Sequence, residues 1–62
     1  MHVTLNGTVV AVPDSATVAD LAGDARGRAV AVNGRVVPRD RHATTGLADG
    51  DAVEIVTAVQ GG

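Results

Sequence analysis

At 62 residues the chain is a single domain, near the lower limit at which a core forms without a disulfide or metal staple. It has no cysteine, which excludes disulfides, thiolate metal sites and thiol nucleophiles, and its two isolated histidines, His2 and His42, cannot build a metal site with acids this scattered. A net charge of −2, five basic residues that are all arginine, and no aromatic for base stacking argue against nucleic acid, while short apolar runs and no signal-peptide pattern lead us to expect a cytoplasmic protein with no membrane partner.

Residues 1–5 alternate, with Val3 and Leu5 on one side and His2 and Thr4 on the other. Asn6-Gly7 follows, and Asn-Gly between alternating apolar runs is a strong hairpin signal, because a type I′ turn needs positive φ at both central residues. Residues 8–12 return as a second strand, Val10 and Val12 forming one face and Val9 and Ala11 the other. Pro13 ends it, having no N–H to give the ladder.

A loop then runs into a helix. Thr17 and Asp20 have the form of a capping box, with Asp where Glu is more usual. Val18, Leu21, Ala22 and Ala25 fall at i, i+3, i+4 and i+7 and predict one apolar stripe against a sheet, with Asp20 and Asp24 on the solvated side. Gly23 sits inside that pattern at a cost of about 1 kcal/mol relative to alanine. Gly27, after Arg26, reads as the stop. A helix this short depends on packing.

Residues 29–32 predict a third strand, a second Asn-Gly at Asn33-Gly34 turns it, and residues 35–37 return before Pro38. Residues 39–46 are polar and irregular, a loop holding one short helical turn; Leu47 is its only large apolar residue and is expected to plug the core. Asp49-Gly50-Asp51 reads as a turn rather than a metal site, since carboxylates flanking a glycine are ordinary turn chemistry.

The last strand alternates through Val53, Ile55, Thr57 and Val59 and runs into Gln60-Gly61-Gly62. Glycine lacks a Cβ, so a Gly-Gly tail threads a narrow cleft and presents its terminal carbon without shielding. By average usage, two terminal glycines arise by chance in about 0.5% of chains, somewhat more in one this rich in glycine. No side chain reads as catalytic. The Gly62 carboxylate is therefore the group expected to carry the chemistry, on a flexible tail of Gln60, Gly61 and Gly62. The chain also has no lysine, so it holds no internal side-chain amine or thiol to attack an activated Gly62.

These elements predict an α+β roll, a mixed β-sheet packed on one α-helix, with residues 1–59 as the domain and 60–62 as the tail. Its core would be Val3, Leu5, Val10, Val12, Val18, Leu21, Val30, Val32, Val37, Leu47, Val53 and Ile55. By alternation Val9, Ala11, Ala29, Ala31, Val56 and Ala58 point away from the helix. That outward face is mostly valine and alanine, with Glu54 its clearest charge, and is expected to be the partner-docking surface.

This plan is that of the ubiquitin-like β-grasp domains. Residues 31–39 (AVNGRVVPR), 47–51 (LADGD), 53–56 (VEIV) and 59–62 (VQGG) together resemble the sulfur carriers of thiamine biosynthesis, the ThiS family, along essentially the whole chain. His42 departs from the large aromatic expected after the VPR block, which bears on local loop packing rather than on function. The resemblance implies a protein cosubstrate and not an enzyme, with no bound cofactor. A ubiquitin-activating-type adenylyltransferase would use ATP to convert Gly62 to an acyl-adenylate. Sulfur from a protein persulfide, supplied by a cysteine desulfurase system, would replace AMP and leave a thiocarboxylate, which thiazole synthase would consume. Alternatives are the small subunit of molybdopterin synthase, a carrier for cysteine or secondary-metabolite assembly, and a ubiquitin-like modifier or binding module.

Overall fold

The computed structural model describes residues 1–23 and 27–57. Its elements in chain order are strands β1 (His2–Leu5) and β2 (Thr8–Ala11), helix α1 (Val18–Ala22), strands β3 (Arg28–Val32) and β4 (Arg35–Val37), a 3-10 turn (Arg39–Arg41) and strand β5 (Ala52–Thr57). The sheet order is β2-β1-β5-β3-β4, and the last strand of the chain lies at its centre. β5 runs parallel to β1 and antiparallel to β3, so the sheet is mixed. The result is the β-grasp arrangement that the element order predicts.

Both Asn-Gly pairs form the turns their chemistry demands. Asn6 and Gly7 have φ of 50° and 84°, and Asn33 and Gly34 have φ of 50° and 82°. Positive φ at both central positions matches the turn's twist to that of the flanking strands, which is why these two-residue loops close hairpins. The first hairpin pairs Val3 with Val10 and Leu5 with Thr8, and the second pairs Val30 with Val37 and Ala31 with Val36. Past the end of β2 the ladder continues, since the Val12 N–H donates to the Met1 carbonyl and the Met1 ammonium donates to the Val12 carbonyl, each at 2.8 Å.

Helix α1 has only five residues, too few to hold itself together. The loop after the 3-10 turn supports it. The Val18 and Ala19 N–H groups donate to the carbonyls of Thr45 and His42, each at 2.9 Å, and the Thr17 N–H donates to Asp20 Oδ2 at 2.8 Å. Orphan donors of the first turn are thus met mostly by a neighbouring segment. The helix stops at Gly23, not at Gly27 as the periodicity predicts. Gly23 takes φ 59° and ψ −129°, a conformation open to glycine, and the i to i+4 ladder ends with its N–H on the Ala19 carbonyl at 2.9 Å. Ala25, the last member of the predicted stripe, lies outside the described residues with Asp24 and Arg26.

The buried core is Val3, Ala16, Val18, Ala22, Val30, Leu47 and Val53. Leu5, Val10, Val12, Leu21, Val32, Val37 and Ile55 pack around it half-buried. Leu47 does close the core from the loop side, its N–H bonded to the Ala16 carbonyl at 3.0 Å. His42 is a core residue as well, only 4% exposed, with Nε2 against the Val37 carbonyl at 3.0 Å and Nδ1 without a hydrogen-bond partner. It occupies the interior place where the ThiS resemblance leads one to expect an aromatic ring. Among the described residues, no helix is long and apolar enough to cross a membrane.

Candidate functional site

The fold fixes β5 from both sides. On one side the backbone pairing with β1 is brief, from Thr4 opposite Ala52 to Leu5 opposite Val53. The Asn6 side chain prolongs it, with Oδ1 accepting the Ile55 N–H at 2.8 Å and Nδ2 donating to the Ile55 carbonyl at 3.2 Å. On the other side β3 pairs with β5 from Val32 opposite Val53 to Arg28 opposite Thr57. Asn33 holds the start of the strand, its Oδ1 accepting the Ala52 N–H at 3.0 Å and its Nδ2 donating to Asp51 Oδ1 at 2.9 Å. Each Asn-Gly turn therefore makes a hairpin and also fastens the final strand.

The acids of the turn before β5 are engaged locally. Asp49 Oδ1 accepts the His2 N–H at 2.9 Å, and Asp51 Oδ2 accepts the Ala48 N–H at 2.7 Å. Among the described residues there is no group of three or more His, Cys, Asp or Glu placed to hold a metal ion. Val59 and the tail residues Gln60, Gly61 and Gly62 lie outside the described residues, as does Ala58 of the predicted docking set.

The other five docking candidates share the sheet face turned away from α1, but they do not form one patch. Val9 and Ala11 stand on the edge strand β2, opposite Thr4 and His2 of β1. Ala29 and Ala31 stand on β3, opposite Val56 and Glu54 of β5. Polar side chains of β1 separate the two groups. A further residue joins the second group: Val36 of β4, opposite Ala31, is 75% exposed, against 56% for Val56 and 64% for Val9. Counting outward from the Asn33-Gly34 turn would have found it, since a two-residue hairpin sets residue 31 against residue 36.

This group forms a shallow depression of about 160 Å³ lined by Ala29, Val30, Ala31, Val36, Glu54 and Val56. A second and wider one, about 410 Å³, lies beside it over Thr4, Asn6, Gly7, Ala52, Val53 and Glu54. Glu54 belongs to both. An exposed, mainly aliphatic patch on a domain this small is the kind of surface that another protein covers.

Comparison with known proteins agrees with the fold. A family model described as "ThiS family" matches residues 3–62. The crystal structure of a thiamine biosynthesis protein (ThiS) from Geobacter metallireducens superposes with a TM-score of 0.84 at 33% identity, covering 100% of both chains. An NMR solution structure of a thiamine biosynthesis protein from the same organism gives a TM-score of 0.76 at 33% identity, covering 100% of this chain and 88% of that one. No curated protein matches the chain.

Proposed function

Since the chain belongs to the ThiS family, we propose that it is a sulfur carrier of thiamine biosynthesis, a protein cosubstrate whose reacting group is the Gly62 carboxylate. The observation that carries this reading is a family match that runs through the Gly-Gly end of a chain with no cysteine or lysine. A carboxylate has no leaving group and is a poor acyl donor. In the proposed cycle a ubiquitin-activating-type adenylyltransferase brings ATP to the tail. A Gly62 oxygen attacks the α-phosphorus, pyrophosphate leaves, and an acyl-adenylate forms.

The terminal sulfur of a protein persulfide, charged by a cysteine desulfurase, then attacks the acyl carbon and displaces AMP. A thiol cleaves the resulting acyl disulfide, leaving the thiocarboxylate on Gly62 and a disulfide on the donor side. Thiazole synthase takes the sulfur, and the carrier returns as the carboxylate. ATP is thus a substrate of the activating enzyme, and the carrier itself binds no cofactor. The cycle runs in the cytoplasm, where persulfide donors and ATP meet.

The carrier's own part is to dock and to present its terminus. The outward face of β5, β3 and β4 supplies the docking surface, and β5 leads from that face toward the tail. Intact mass spectrometry after incubation with ATP, the activating enzyme and a persulfide donor tests the reading. The expected result is one oxygen replaced by sulfur at the C-terminal residue. A protein joined through Gly62 to a lysine of another chain would instead identify a modifier, and an unaltered mass would reject both.

A further inference from the structure

On the outward face of β5, β3 and β4 the described residues place a single carboxylate, that of Glu54, among Ala29, Ala31, Val36, Ala52 and Val56. Its cross-strand neighbour on β3 is Ala31, whose side chain is too short to cover it and has no polar group to offer, while toward β1 it shares the wider depression with Thr4 and Asn6. Among the described residues no ion pair engages Glu54; the one ion pair, between the Met1 ammonium and Asp14, involves neither β5 nor its neighbour β3. Glutamate is also mildly disfavoured in strands. Glu54 lines both depressions.

We propose that Glu54 is the charge-reading residue of the docking face, receiving an arginine or lysine side chain of the activating enzyme. An apolar side chain of the same enzyme fills the depression over Ala29, Ala31, Val36 and Val56. The inference rests on the reading that this face meets the activating enzyme, and it adds the chemistry of the surface that fits. A wholly apolar partner surface would desolvate the Glu54 carboxylate with nothing to replace its water, which disfavours binding. A cation carried within an apolar rim compensates that loss, and it also rejects acceptors whose matching surface is neutral or acidic.

The test is equilibrium binding of the activating enzyme to the full chain at low and high salt, using wild type, Glu54→Gln, Glu54→Arg, Val36→Asp and Val56→Asp. All three positions are exposed, and circular dichroism checks that each variant is folded. Glu54→Gln is expected to raise Kd about tenfold or more and to lose most of the salt dependence seen for wild type, and Glu54→Arg to raise Kd further. Both aspartate variants are expected to weaken binding. If the aspartate variants bind poorly while Glu54→Gln binds as wild type or better, the assignment of Glu54 is overturned and the docking face stands. If the aspartate variants also bind as wild type, the enzyme meets another surface and both readings fall.

Discussion

Asn6 holds Ile55 by both of its backbone groups, accepting from the N–H at 2.8 Å and donating to the carbonyl at 3.2 Å. The two residues are 49 positions apart, so a side chain in the first turn is a ladder partner of the last strand. Backbone pairing of β1 with β5 reaches only Val53, and the Asn6 amide carries it on past the hairpin. Asn6→Gly keeps the positive-φ turn and deletes this contact, which is expected to cost about 1–2 kcal/mol. Asn6→Ala adds left-handed strain of about 1 kcal/mol more. Thermal melts should rank wild type above Asn6→Gly above Asn6→Ala, each kcal/mol being roughly 4–8 °C at this size. Equal melting temperatures for the glycine variant and wild type would show that the amide adds nothing to the ladder.

His42 is predicted to behave as a core side chain. Its Nδ1 has no partner to lose, while Nε2 has one bond, to Val37. His42→Ala should destabilise by about 2–4 kcal/mol through the cavity it leaves. In His42→Phe the added apolar burial offsets the lost bond, so denaturant midpoints should lie within about 1 kcal/mol of wild type. A phenylalanine variant as unstable as the alanine one would mean that the Val37 bond, not the ring volume, holds the loop.

Arg28 caps the end of α1 from the next strand, its Nη1 donating to the Ala22 carbonyl at 2.7 Å. A cation at a helix C-terminus also meets the dipole favourably. Arg28→Ala should lower stability by about 1 kcal/mol, and Arg28→Lys should recover part of it. Urea denaturation of the three proteins decides the matter, and an unchanged midpoint for Arg28→Ala would remove the cap from the account.

Deleting Gly62 should leave the melting temperature nearly unchanged, because the buried core among the described residues is drawn from positions 3 to 53, while abolishing pyrophosphate release with the activating enzyme. Gly61→Val should also fold but react slowly, since a branched side chain obstructs passage into an active-site cleft. Normal thiocarboxylate formation by either variant would contradict the placing of the chemistry on the tail.

The division of the outward face by β1 carries its own prediction. Val9→Asp, on the far edge strand, should change the KM for adenylation less than Val56→Asp does. Equal effects would mean that the activating enzyme spans all five strands.

Local chemistry was legible in the chain before any fold. Asn-Gly at 6–7 and 33–34 specifies positive φ and so two hairpins, Thr17 with Asp20 marks where a helix starts, and alternation separates Val30 and Val53 from Ala31 and Glu54. The ThiS resemblance was legible too, because its blocks are contiguous runs. Each of these signals spans fewer than about ten residues, the range over which turn chemistry and side-chain period act.

What tertiary structure decided involves pairs that no local window contains. Gly23 ends α1 by its φ of 59° and ψ of −129°, and the 42–47 loop, not the helix's own length, holds its first turn. His42, read in the sequence as part of a polar loop, is buried because that loop folds back over Val37 and Ala19. Val9 and Val56 have the same phase yet different neighbours, since β5 inserts between β1 and β3 rather than adding at an edge. Alternation determines which face a side chain occupies; only strand order determines what stands beside it, and strand order follows from the burial of Val3, Val30 and Val53 against one short helix.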